Sequence, residues 1–457
     1  MIGCVNRSLC ESLRSIECGV ETVNQRLKEK IRAREAQICI IGLGYVGLPL
    51  AIACAHAGFS VIGIDNDQNK VDDINKGKTT NLDIDNDVLG TLITAGKIQA
   101  VSNFVHLNEM DVILVCVPTG LTKNFTPDLQ HIQSVVTELS SKLRANQLIC
   151  IESTVYPGTI EEIVIPALET SALRAEQDFY VCHSPERMDP GNEHFSTANI
   201  PKLVGGLGGG SLELGILFYS QIVPNVIPTS SLKVAELAKL HENSFRAVNI
   251  ALVNELTLIC DKVGVCVWDV LDAAFSKPFG IMPFYPGPGV GGHCIPVDPH
   301  YLEWKARELL STTRLISAAG EINRNMPYFV REKIWRVCNV IHRVPSQSKI
   351  LLVGMAYKKD TADYRESPAL QLTELLLEDG VRVVYHDPFV PRVDTSSLHL
   401  TSAPLTKAEV EKADLVVITV DHSNIDYMWL VQTASKIVDT RDATRSIPNR
   451  EKNVILL

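Results

Sequence analysis

The sequence lacks the features of a membrane or secreted protein. It contains no apolar run of the roughly 18 residues that a membrane-spanning helix needs. Its start, MIGCVNRSLCESLRSIECGVETV, carries a polar residue every few positions, whereas a secretion signal has a continuous apolar segment. We therefore expect a cytoplasmic protein that is not inserted into a membrane.

A surplus of basic residues is also absent. The 53 aspartates and glutamates outnumber the 43 lysines and arginines, and the formal net charge is −10. Because nucleic acids and anionic membrane surfaces attract basic proteins, this balance argues against both as partners.

Metal-binding patterns are missing as well. The 12 cysteines form no CxxC pair and no group with histidine at the spacing of a zinc site, so we predict no bound metal. Scattered cysteines of a cytosolic protein are for the most part small buried apolar residues. A functional cysteine must therefore be recognised by its surroundings.

The order of the apolar segments predicts the fold. The 457 residues are enough for two or three domains. After Gln37, strand-like apolar runs alternate with helix-length segments, which indicates a parallel sheet covered on both faces. The strand-like runs stop near residue 228, where a long helical pattern begins, and they return after Pro345. We predict an α/β protein in which two doubly wound, Rossmann-like domains are joined by a long central helical segment.

The predicted domain boundaries follow from these changes of pattern. They are 1–35 for a helical N-terminal extension that faces solvent or a partner, 36–227 for the first doubly wound domain, 228–330 for the central helical domain and 331–457 for the second doubly wound domain. A helix as long as the central one commonly bridges domains or forms a dimer interface, and we expect a homodimer through it.

The first domain opens with a dinucleotide-binding pattern. GLGYVG at 42–47 follows an apolar strand and precedes a helix of small and apolar residues. Gly42 permits a tight turn, Gly44 lets a pyrophosphate approach the backbone, and Gly47 allows the helix to pack closely on the strand. Asp65, at the end of the next strand, can bond both ribose hydroxyls and repel a 2′-phosphate. The complete unit predicts NAD as the cofactor, rather than a glycine turn of another kind.

Further cofactor contacts are predicted at neighbouring positions. Tyr45 and Val46 lie within the glycine turn, and VPTG at 117–120 and STVYPGT at 153–159 follow later strands. Ligands of open parallel sheets bind outside the carboxyl ends of the strands. The remaining predicted cofactor contacts are therefore Pro118, Thr119 and Ser153.

One cysteine stands out from the rest. Cys294 lies in PGPGVGGHCIPVDP at 286–299, flanked by His293 and Asp298. Glycines suit the close approach of a ligand, and prolines hold a loop in one shape before a substrate arrives. A thiolate could add to an aldehyde made by a first hydride transfer, and a second transfer would give a thioester that water releases as an acid. NAD together with Cys294 therefore predicts the four-electron oxidation of a primary alcohol to a carboxylate.

This chemistry requires groups that stabilise an oxyanion and activate water. Lys239 and Asn243 lie one helical turn apart in ELAKLHEN, so their side chains point the same way and could hold an oxyanion. Glu186 in HSPERMDPG ends a strand, and its carboxylate could activate water. A solvated lysine and asparagine, and a glutamate that caps a turn, are the alternative interpretations.

Together these residues resemble the UDP-glucose/GDP-mannose dehydrogenase family. The resemblance runs from about Gln37 to near the C-terminus, and only the first 35 residues fall outside it. The motifs that carry it are GLGYVGLP at 42–49, ESTVYPGT at 152–159, SPERMDPG at 184–191, ELAKLHEN at 236–243, PGPGVGGHCIPVD at 286–298 and AYKKDTADYRESP at 356–368.

The resemblance implies roles for the catalytic residues. Cys294 would be the nucleophile, and Asp298 with a water would assist proton transfer. Glu186 would activate the hydrolytic water, which Thr154 would position. The lysine and asparagine of the central helix would stabilise the oxyanion.

The resemblance also implies a UDP-sugar substrate, bound by residues 331–457, with NAD bound by residues 36–227. Lys358 would contact the UDP-sugar, and Arg365 would reach across an interdomain cleft to the cofactor diphosphate. Arg441 is similar to a family arginine near the nucleotide. The full set expected to bind the substrate is Arg187, Lys239, Asn243, Tyr285, Gly291, Lys358 and Arg441.

Differences from the UDP-glucose enzymes of this family indicate the sugar. Those enzymes carry an aromatic residue and a glycine-preceding acid where this chain has Arg187 and Pro190, and an arginine upstream of the cysteine where it reads SKPFGIMPFY. Both differences resemble the branch that oxidises UDP-N-acetylhexosamines. GGHCIPVDPHYLEWKARE looks more similar to UDP-N-acetylglucosamine enzymes than to UDP-N-acetylmannosamine enzymes. We predict oxidation of UDP-N-acetylglucosamine at C6, with Arg187 or the KPFG segment accommodating the acetamido group.

Other functions stay open from the sequence. UDP-N-acetylmannosamine or UDP-glucose would be oxidised by the same mechanism. A two-electron hydroxyacid-type dehydrogenase would share the first domain, would not need Cys294 and would release one NADH per substrate. An NAD-sensing or assembly protein would keep the fold but predicts a broken thiol site, whereas every candidate catalytic position is filled.

Overall fold

Two compact units make up the chain. The computed structural model describes residues 25–81, 84–122, 124–188 and 199–457, and the units divide between Leu240 and His241. Each unit is built on a sheet of mostly parallel strands connected through helices. This confirms the predicted α/β class with two Rossmann-like sheets.

Eight strands form the sheet of the first unit. They are β1 (Gln37–Ile41), β2 (Ser60–Ile64), β3 (Ile98–Val101), β4 (Val112–Val115), β5 (Leu148–Ile151), β6 (Tyr180–His183), β7 (Lys202–Gly206) and β8 (Val226–Pro228). Across the sheet their order is β8-β7-β6-β5-β4-β1-β2-β3. Strands β1 to β6 are parallel in the 3-2-1-4-5-6 order of dinucleotide-binding domains. Strand β7 runs antiparallel to β6, and β8 runs parallel to β7.

Helices cover both faces of this sheet, as its apolar strands require. Every residue of β4 (VILV) and of β5 (LICI) is buried, which is typical of parallel strands with two covered faces. The helices of the first unit are α1 (Gln25–Ala33), α2 (Gly47–His56), α3 (Gln68–Asn75), α4 (Asn86–Thr94), α5 (Gln130–Lys142), α6 (Ile165–Leu168) and α7 (Gly209–Tyr219). Shorter helical turns span Leu107–Glu109, Ile160–Val164 and Glu169–Ser171, and a small ladder joins Gly120–Leu121 to Pro127–Asp128.

Helix α1 belongs to the predicted N-terminal extension, whose residues 1–24 lie outside the described residues. Leu27 and Ile31 lie one turn apart, are 2% and 0% exposed, and form part of the core of the first unit. Lys30 donates to the Asp111 carboxylate at 2.9 Å. Helix α1 thus buries its apolar side within its own unit, which the sequence interpretation did not include, and exposes Gln25, Arg26, Glu29 and Arg32 on its other side.

The central helix α8 (Leu232–Val263) continues from the first unit into the second. Its 32 residues confirm the predicted long helix. Gly264 follows it with a φ of +80°, and the Gly264 amide donates to the Cys260 carbonyl at 2.9 Å. A glycine in this left-handed conformation ends a helix without steric cost, which is why the helix stops there.

Five parallel strands form the sheet of the second unit. They are β9 (Lys349–Val353), β10 (Arg382–His386), β11 (Leu415–Ile418), β12 (Ile437–Asp439) and β13 (Val454–Leu456). Their order is β10-β9-β11-β12-β13, the 2-1-3-4-5 order of a second doubly wound fold. In such a sheet the ligand crevice lies where the strand order reverses, which here is between β9 and β11.

The remaining elements pack on this second sheet or precede it. The helices are α9 (Val267–Phe275), α10 (Asp298–Glu308), α11 (Arg314–Val340), α12 (Pro368–Glu378), α13 (Lys407–Glu411) and α14 (Tyr427–Thr433). Short turns span Pro345–Gln347 and Arg450–Lys452, and a ladder pairs Arg392–Asp394 with His399–Thr401. Among the described residues, no helix combines the length and the apolar character needed to cross a bilayer.

The burial of α1 generates a stability prediction. Replacing Ile31, which is fully buried, by alanine should lower the free energy of unfolding by about 2–5 kcal/mol, because it removes buried methyl groups and leaves a cavity. The matched Arg32→Ala change, at the exposed next position, should alter it by less than about 0.5 kcal/mol. Urea unfolding of both variants measures this difference. Equal stability of the two variants would contradict the packing of α1 in the core.

Candidate active site

The glycine turn after β1 has room for a ligand at one position only. A Cβ on Gly42, whose φ is +95°, would lie 2.6 Å from the Cys116 carbonyl oxygen, and a Cβ on Gly47 would lie 1.8 Å from the Gly42 oxygen. A Cβ on Gly44 would meet no atom within 4 Å. Gly42 and Gly47 are thus required by close packing, whereas Gly44 keeps the backbone accessible. Tyr45 and Val46 lie half-buried between them.

Asp65 is held beside this turn. One carboxylate oxygen accepts hydrogen bonds from the Leu43 amide and from the Lys70 ammonium, both at 2.9 Å, and the other accepts from the Asp67 amide at 3.0 Å. Asp65 is buried, with 7% of its surface exposed, and these three hydrogen bonds restrict the orientation of its carboxylate. An open glycine turn followed by an oriented carboxylate fits a bound NAD. The sequence reasoning missed Lys70, which pairs with Asp65 across the start of α3.

A hydrogen bond from the Ser153 hydroxyl joins the turn after β5 to the turn after β4. Ser153 donates to the Val117 carbonyl oxygen at 2.6 Å. Thr119 is buried in the same turn as Pro118, which is exposed, and Thr154 is half-buried beside Ser153. The predicted cofactor-side residues of these two turns therefore lie at the carboxyl ends of neighbouring strands, as expected from the sheet order.

Glu236, which the sequence reasoning did not consider, fixes the turn that follows Ser153. Its carboxylate oxygens accept from the Gly158 amide at 2.6 Å and from the Ile160 amide at 3.2 Å. Burial raises the pKa of Glu236 to about 7. One turn of α8 thus anchors the backbone of the STVYPGT segment.

Glu186 lies in a buried cluster of charges. Lys202, at the start of β7, donates to Glu186 at 2.9 Å and to Glu152 at 2.6 Å. The second Glu186 oxygen accepts from the amides of Arg187 and Met188 at 2.7 and 2.8 Å. Glu186 therefore does cap a turn, as the alternative interpretation proposed, and its role toward water stays a prediction.

The charges of this cluster shift each other's pKa values. Burial raises the pKa of Glu186, but Lys202 and the two amides outweigh burial and hold the pKa below its ordinary value. Burial raises the pKa of Glu152 and prevails there over Lys202. Burial lowers the pKa of Lys202, but the two carboxylates raise it above its ordinary value. At neutral pH the Lys202 ammonium therefore pairs with an ionised Glu186 carboxylate.

Strand register explains why Lys202 meets Glu186. In the antiparallel pair of β6 and β7, His183 faces Gly205. Because the strands run in opposite directions, counting three residues forward from His183 and three back from Gly205 brings Glu186 opposite Lys202. The sequence alone shows only a lysine at the start of an apolar run, so no local signal indicates this partner.

Arg187, expected near the substrate, donates to the Pro201 carbonyl at 2.8 Å, and Pro190 lies outside the described residues.

The cysteine loop leads into helix α10. Cys294 is exposed, and its carbonyl oxygen accepts from the amides of Val297 and Asp298 at 3.1 and 2.8 Å. Its thiol thus precedes a helix N-terminus, where the helix dipole favours negative charge. Asn243 donates to the Asp298 carboxylate at 2.5 Å, and these two side chains are 4% and 3% exposed. Lys239 is also buried, one turn before Asn243 on α8.

The glycines of this loop allow close packing against the second sheet. A Cβ on Gly287 would lie 2.6 Å from a guanidinium nitrogen of Arg441. A Cβ on Gly291 would lie 2.7 Å from the Glu366 carbonyl oxygen, and one on Gly292 would lie 2.8 Å from the Tyr357 ring. These glycines therefore make room for side chains and backbone of their own unit, a use that the sequence reasoning, which considered only a ligand, did not foresee.

The predicted substrate residues of the second unit follow its strands. Lys358 is half-buried after β9, and Arg441, after β12, donates to the Thr419 carbonyl at 3.1 Å. Arg365, predicted at the cofactor diphosphate, makes a two-pronged contact with Asp363 at 2.6 and 2.9 Å. Tyr285 is 46% exposed and stacks on an indole ring, with 5.7 Å between ring centroids.

A buried histidine–aspartate pair, missed from the sequence, organises the same sheet edge. Asp387 accepts from the Met355 and Ala356 amides at 2.6 and 2.9 Å and lies 3.1 Å from His422 Nε2. His422 Nδ1 accepts from the Asp360 amide at 3.0 Å, so the ring proton is on Nε2. Burial raises the pKa of Asp387, but His422 and the amides bring it to about 2. Both residues follow strands in the sequence, a signal that could have indicated them.

Three sequence profiles of the UDP-glucose/GDP-mannose dehydrogenase family match the chain. The NAD binding domain matches residues 36–223, the central domain residues 233–325 and the UDP binding domain residues 351–446. The chain belongs to the UDP-glucose/GDP-mannose dehydrogenase family. It is an NAD-dependent nucleotide-sugar dehydrogenase, and its UDP binding domain supports a UDP-sugar as the substrate, as the resemblance of its motifs implied.

Relatives of this family act on several N-acetylated sugars. The chain is 34% identical to a UDP-N-acetyl-D-mannosamine dehydrogenase of Methanocaldococcus jannaschii, over 91% of this chain and 93% of the relative. It is 32% identical to a UDP-N-acetyl-D-glucosamine 6-dehydrogenase of Pseudomonas aeruginosa, over 86% and 92%. The solved structure of a UDP-D-ManNAc dehydrogenase from Pyrococcus horikoshii superposes with a TM-score of 0.82 at 31% identity, covering 92% of this chain and 98% of that structure.

Two glycines of the NAD turn provide a matched test. Gly47→Ala should lower the free energy of unfolding by about 3 kcal/mol, because the new methyl group would collide with the Gly42 carbonyl. Gly44→Ala should change stability by less than about 0.5 kcal/mol and weaken NAD binding about tenfold, since the methyl group would occupy the open side of the turn. Urea unfolding and calorimetric NAD titration measure the two effects. Unchanged NAD affinity of Gly44→Ala would refute ligand approach at this position.

Proposed function

We propose that the protein oxidises the C6 alcohol of a UDP-N-acetylhexosamine to the carboxylate in two NAD-dependent steps, through a covalent intermediate on Cys294. The observation that carries this proposal is the exposed Cys294 at the start of α10, with the buried pair Asn243–Asp298 tied to the same helix. A two-electron dehydrogenase has no use for a thiol in this setting.

The chemistry runs through the sulfur of Cys294. NAD held at the turn of Gly44 and Asp65 would supply the hydride acceptor for each of the two oxidations. The thiolate adds to the C6 aldehyde and forms a thiohemiacetal, and oxidation of that adduct leaves a thioester. Water then attacks the thioester carbon, the C–S bond breaks, and the uronate and the free thiolate are released.

The neighbouring side chains would serve these steps. Lys239 and Asn243 supply an ammonium and an amide for the oxyanion, and Asp298 with a water transfers protons. Asn243 already donates to Asp298 at 2.5 Å, which orients its amide. Glu186 would take a proton from the hydrolytic water that Thr154 positions, and its lowered pKa keeps it ionised near neutral pH.

The substrate's nucleotide would bind at the carboxyl ends of β9 and β12. Lys358, Arg441 and Tyr285 offer two cations and an aromatic ring to a UDP group, and the backbone of Gly291 borders the same loop. Arg365, if it turns from Asp363, would reach the cofactor diphosphate. Arg187 or the KPFG segment would accommodate the acetamido group.

The C2 configuration of the sugar distinguishes two candidate substrates. The loop sequence around Cys294 favours UDP-N-acetylglucosamine, whereas a relative named for UDP-N-acetyl-D-mannosamine has 34% identity against 32% for one named for UDP-N-acetyl-D-glucosamine. We retain UDP-N-acetylglucosamine as the prediction and UDP-N-acetylmannosamine as the alternative. A cytoplasmic location likewise stays a prediction.

The yield of NADH per sugar tests this proposal. With a limiting amount of UDP-N-acetylglucosamine, UDP-N-acetylmannosamine or UDP-glucose and an excess of NAD, one of these substrates should give two NADH per sugar. Cys294→Ala should lose the second oxidation, because no thiol retains the aldehyde, while Cys338→Ala, at a buried cysteine, should still give two. A yield of one NADH per sugar with the wild type, or a yield of two with Cys294→Ala, would contradict the thioester route.

We also infer a homodimer through the central helix. Phe245, Leu252 and Ile259 lie seven residues apart on α8 and are 42%, 62% and 53% exposed. Apolar residues at this spacing form one stripe along a helix, which is typical of helix–helix packing. Within the described part of this unit, the opposite face of α8 carries the buried residues, so the stripe is available to a second copy.

Sedimentation of a charged variant tests the dimer. The double change Leu252→Glu and Ile259→Glu should convert a dimer to a monomer at micromolar concentration, because it would bury four carboxylates in the interface. Val340→Glu, at an apolar residue of similar exposure on another helix, should remain dimeric. A monomeric wild type, or a dimer that survives the double change, would refute the inference.

A further inference from the structure

A buried chain of hydrogen bonds ends at Glu186. Tyr219 donates to Glu152, Lys202 donates to Glu152 at 2.6 Å, and Lys202 donates to Glu186 at 2.9 Å. The side chains of Lys202, Glu152 and Glu186 are 5%, 0% and 11% exposed, and Tyr219 is 0% exposed. Only the last carboxylate of the chain therefore approaches the protein surface.

Each oxygen of Glu186 is held from a different direction. One accepts from Lys202, and the other accepts from the amides of Arg187 and Met188. Rotation of the Lys202 side chain is restricted, because Glu152 accepts from the same ammonium and itself accepts from Tyr219. The backbone of Lys202 is fixed as well, since it lies in β7. The carboxylate is thus held in one orientation by the buried Lys202 and by two backbone amides.

We propose that Lys202 is a positioning residue for the hydrolytic half of the reaction, in which it fixes the Glu186 carboxylate toward the attacking water. This inference rests on the proposed function, since it assumes that Glu186 serves thioester hydrolysis. A surface lysine would be a poor orienting group, because its flexible stem is costly to order. Burial between two carboxylates removes that freedom before the substrate arrives.

Among the described residues, Lys202 is the cation whose hydrogen bond to Glu186 the structure shows, while the neighbouring Arg187 directs a guanidinium nitrogen to the Pro201 carbonyl at 2.8 Å. Within the described ranges, the other charged or titratable groups around the pair are Arg187, Glu152, Tyr219, His183, Cys54, Cys116, Cys150 and Cys182. Burial lowers the pKa of His183 to about 4 and raises the pKa of Tyr219 and of Cys116, so these groups are uncharged near pH 7. Loss of Lys202 would therefore raise the pKa of Glu186, because the cation that outweighs its burial would be gone.

The step that depends on this arrangement is hydrolysis of the thioester. The water oxygen bonds to the thioester carbon, one of its protons passes to the ionised Glu186, and the C–S bond breaks to release the Cys294 thiolate and the product acid. The acid then loses the second proton of the water to solvent and leaves as the carboxylate. No oxidant enters this step. Because Glu186 must be ionised to accept the proton, hydrolysis is lost as the pH falls through the pKa of Glu186. Without Lys202 the loss should begin at a higher pH.

Four variants separate positioning from folding. Lys202→Met removes the cation, and Lys202→Arg keeps it. The double variant Lys202→Met/Glu152→Gln also removes the cation. Because it leaves one unpaired buried carboxylate fewer, it should stay folded even if Lys202→Met alone unfolds. Lys142→Met removes a lysine from a solvent-accessible ion pair with Glu138 on helix α5 and is the matched control.

The first measurement is the rate of NADH formation in the first and in the second oxidation. The second is the decay of the Cys294 thioester, monitored by the intact mass of the protein between about pH 5 and pH 9. Lys202→Met, or the double variant, should slow thioester decay at pH 7 about tenfold or more and move its acid limb to higher pH, with the first oxidation unchanged. Lys202→Arg should recover most of the rate, and Lys142→Met should match the wild type. In the background of Glu186→Gln, loss of Lys202 should have no further effect.

Several results would overturn the proposal. Thioester decay at the wild-type rate and with the wild-type pH profile would exclude a role for Lys202. An equal loss of both oxidations together with thioester decay would indicate damage to the fold only.

Failure of the proposed function itself is distinguishable. In that case the wild type and Glu186→Gln would accumulate no thioester at all. The claim about Lys202 is then decided by infrared titration of the Glu186 carboxylate, observed as the difference between wild type and Glu186→Gln. A titration that does not move to higher pH in the Lys202 variants would overturn it.

Discussion

The parallel pairing of strands is the constraint on which both sites of this protein depend. Because β1 to β6 run in one direction, their carboxyl ends meet at one edge, and the same holds for β9 to β13. Backbone groups are unpaired at such an edge, so polar and charged side chains can collect there without disturbing the apolar strands. Gly44, Asp65 and Ser153 in one unit, and Lys358 and Arg441 in the other, all follow strand ends.

The antiparallel strand β7 places its first residue, Lys202, at the edge where the parallel strands end. It enters the sheet from the carboxyl edge, so its first residue, Lys202, lies among the turns that follow the other strands. A cation is thereby buried between Glu152 and Glu186, where a lysine from a surface loop would stay hydrated. Burying one carboxylate beside another would be costly alone, and the lysine between them makes the cluster possible.

Much of this arrangement could be read from the order of residues. The alternation of apolar runs predicted both sheets, GLGYVG with Asp65 predicted the NAD turn, and the family motifs predicted the nucleotide-sugar activity. These features are local, since each depends on neighbours within one βαβ unit or one loop. The partners of Glu186, Asp65 and Asp387 could not be read in this way, because Lys202, Lys70 and His422 reach them only through sheet register and helix packing.

The sequence by itself therefore determined the fold class, the cofactor turn and the singular setting of Cys294, because glycine spacing and apolar periodicity act over a few residues. Tertiary structure alone decided that α1 packs in the core, that the glycines near Cys294 accommodate Tyr357 and Arg441, and that Lys202 faces Glu186. Each of these depends on which distant segments fill the same space. That is a property of packing and strand register, which no short stretch of sequence contains.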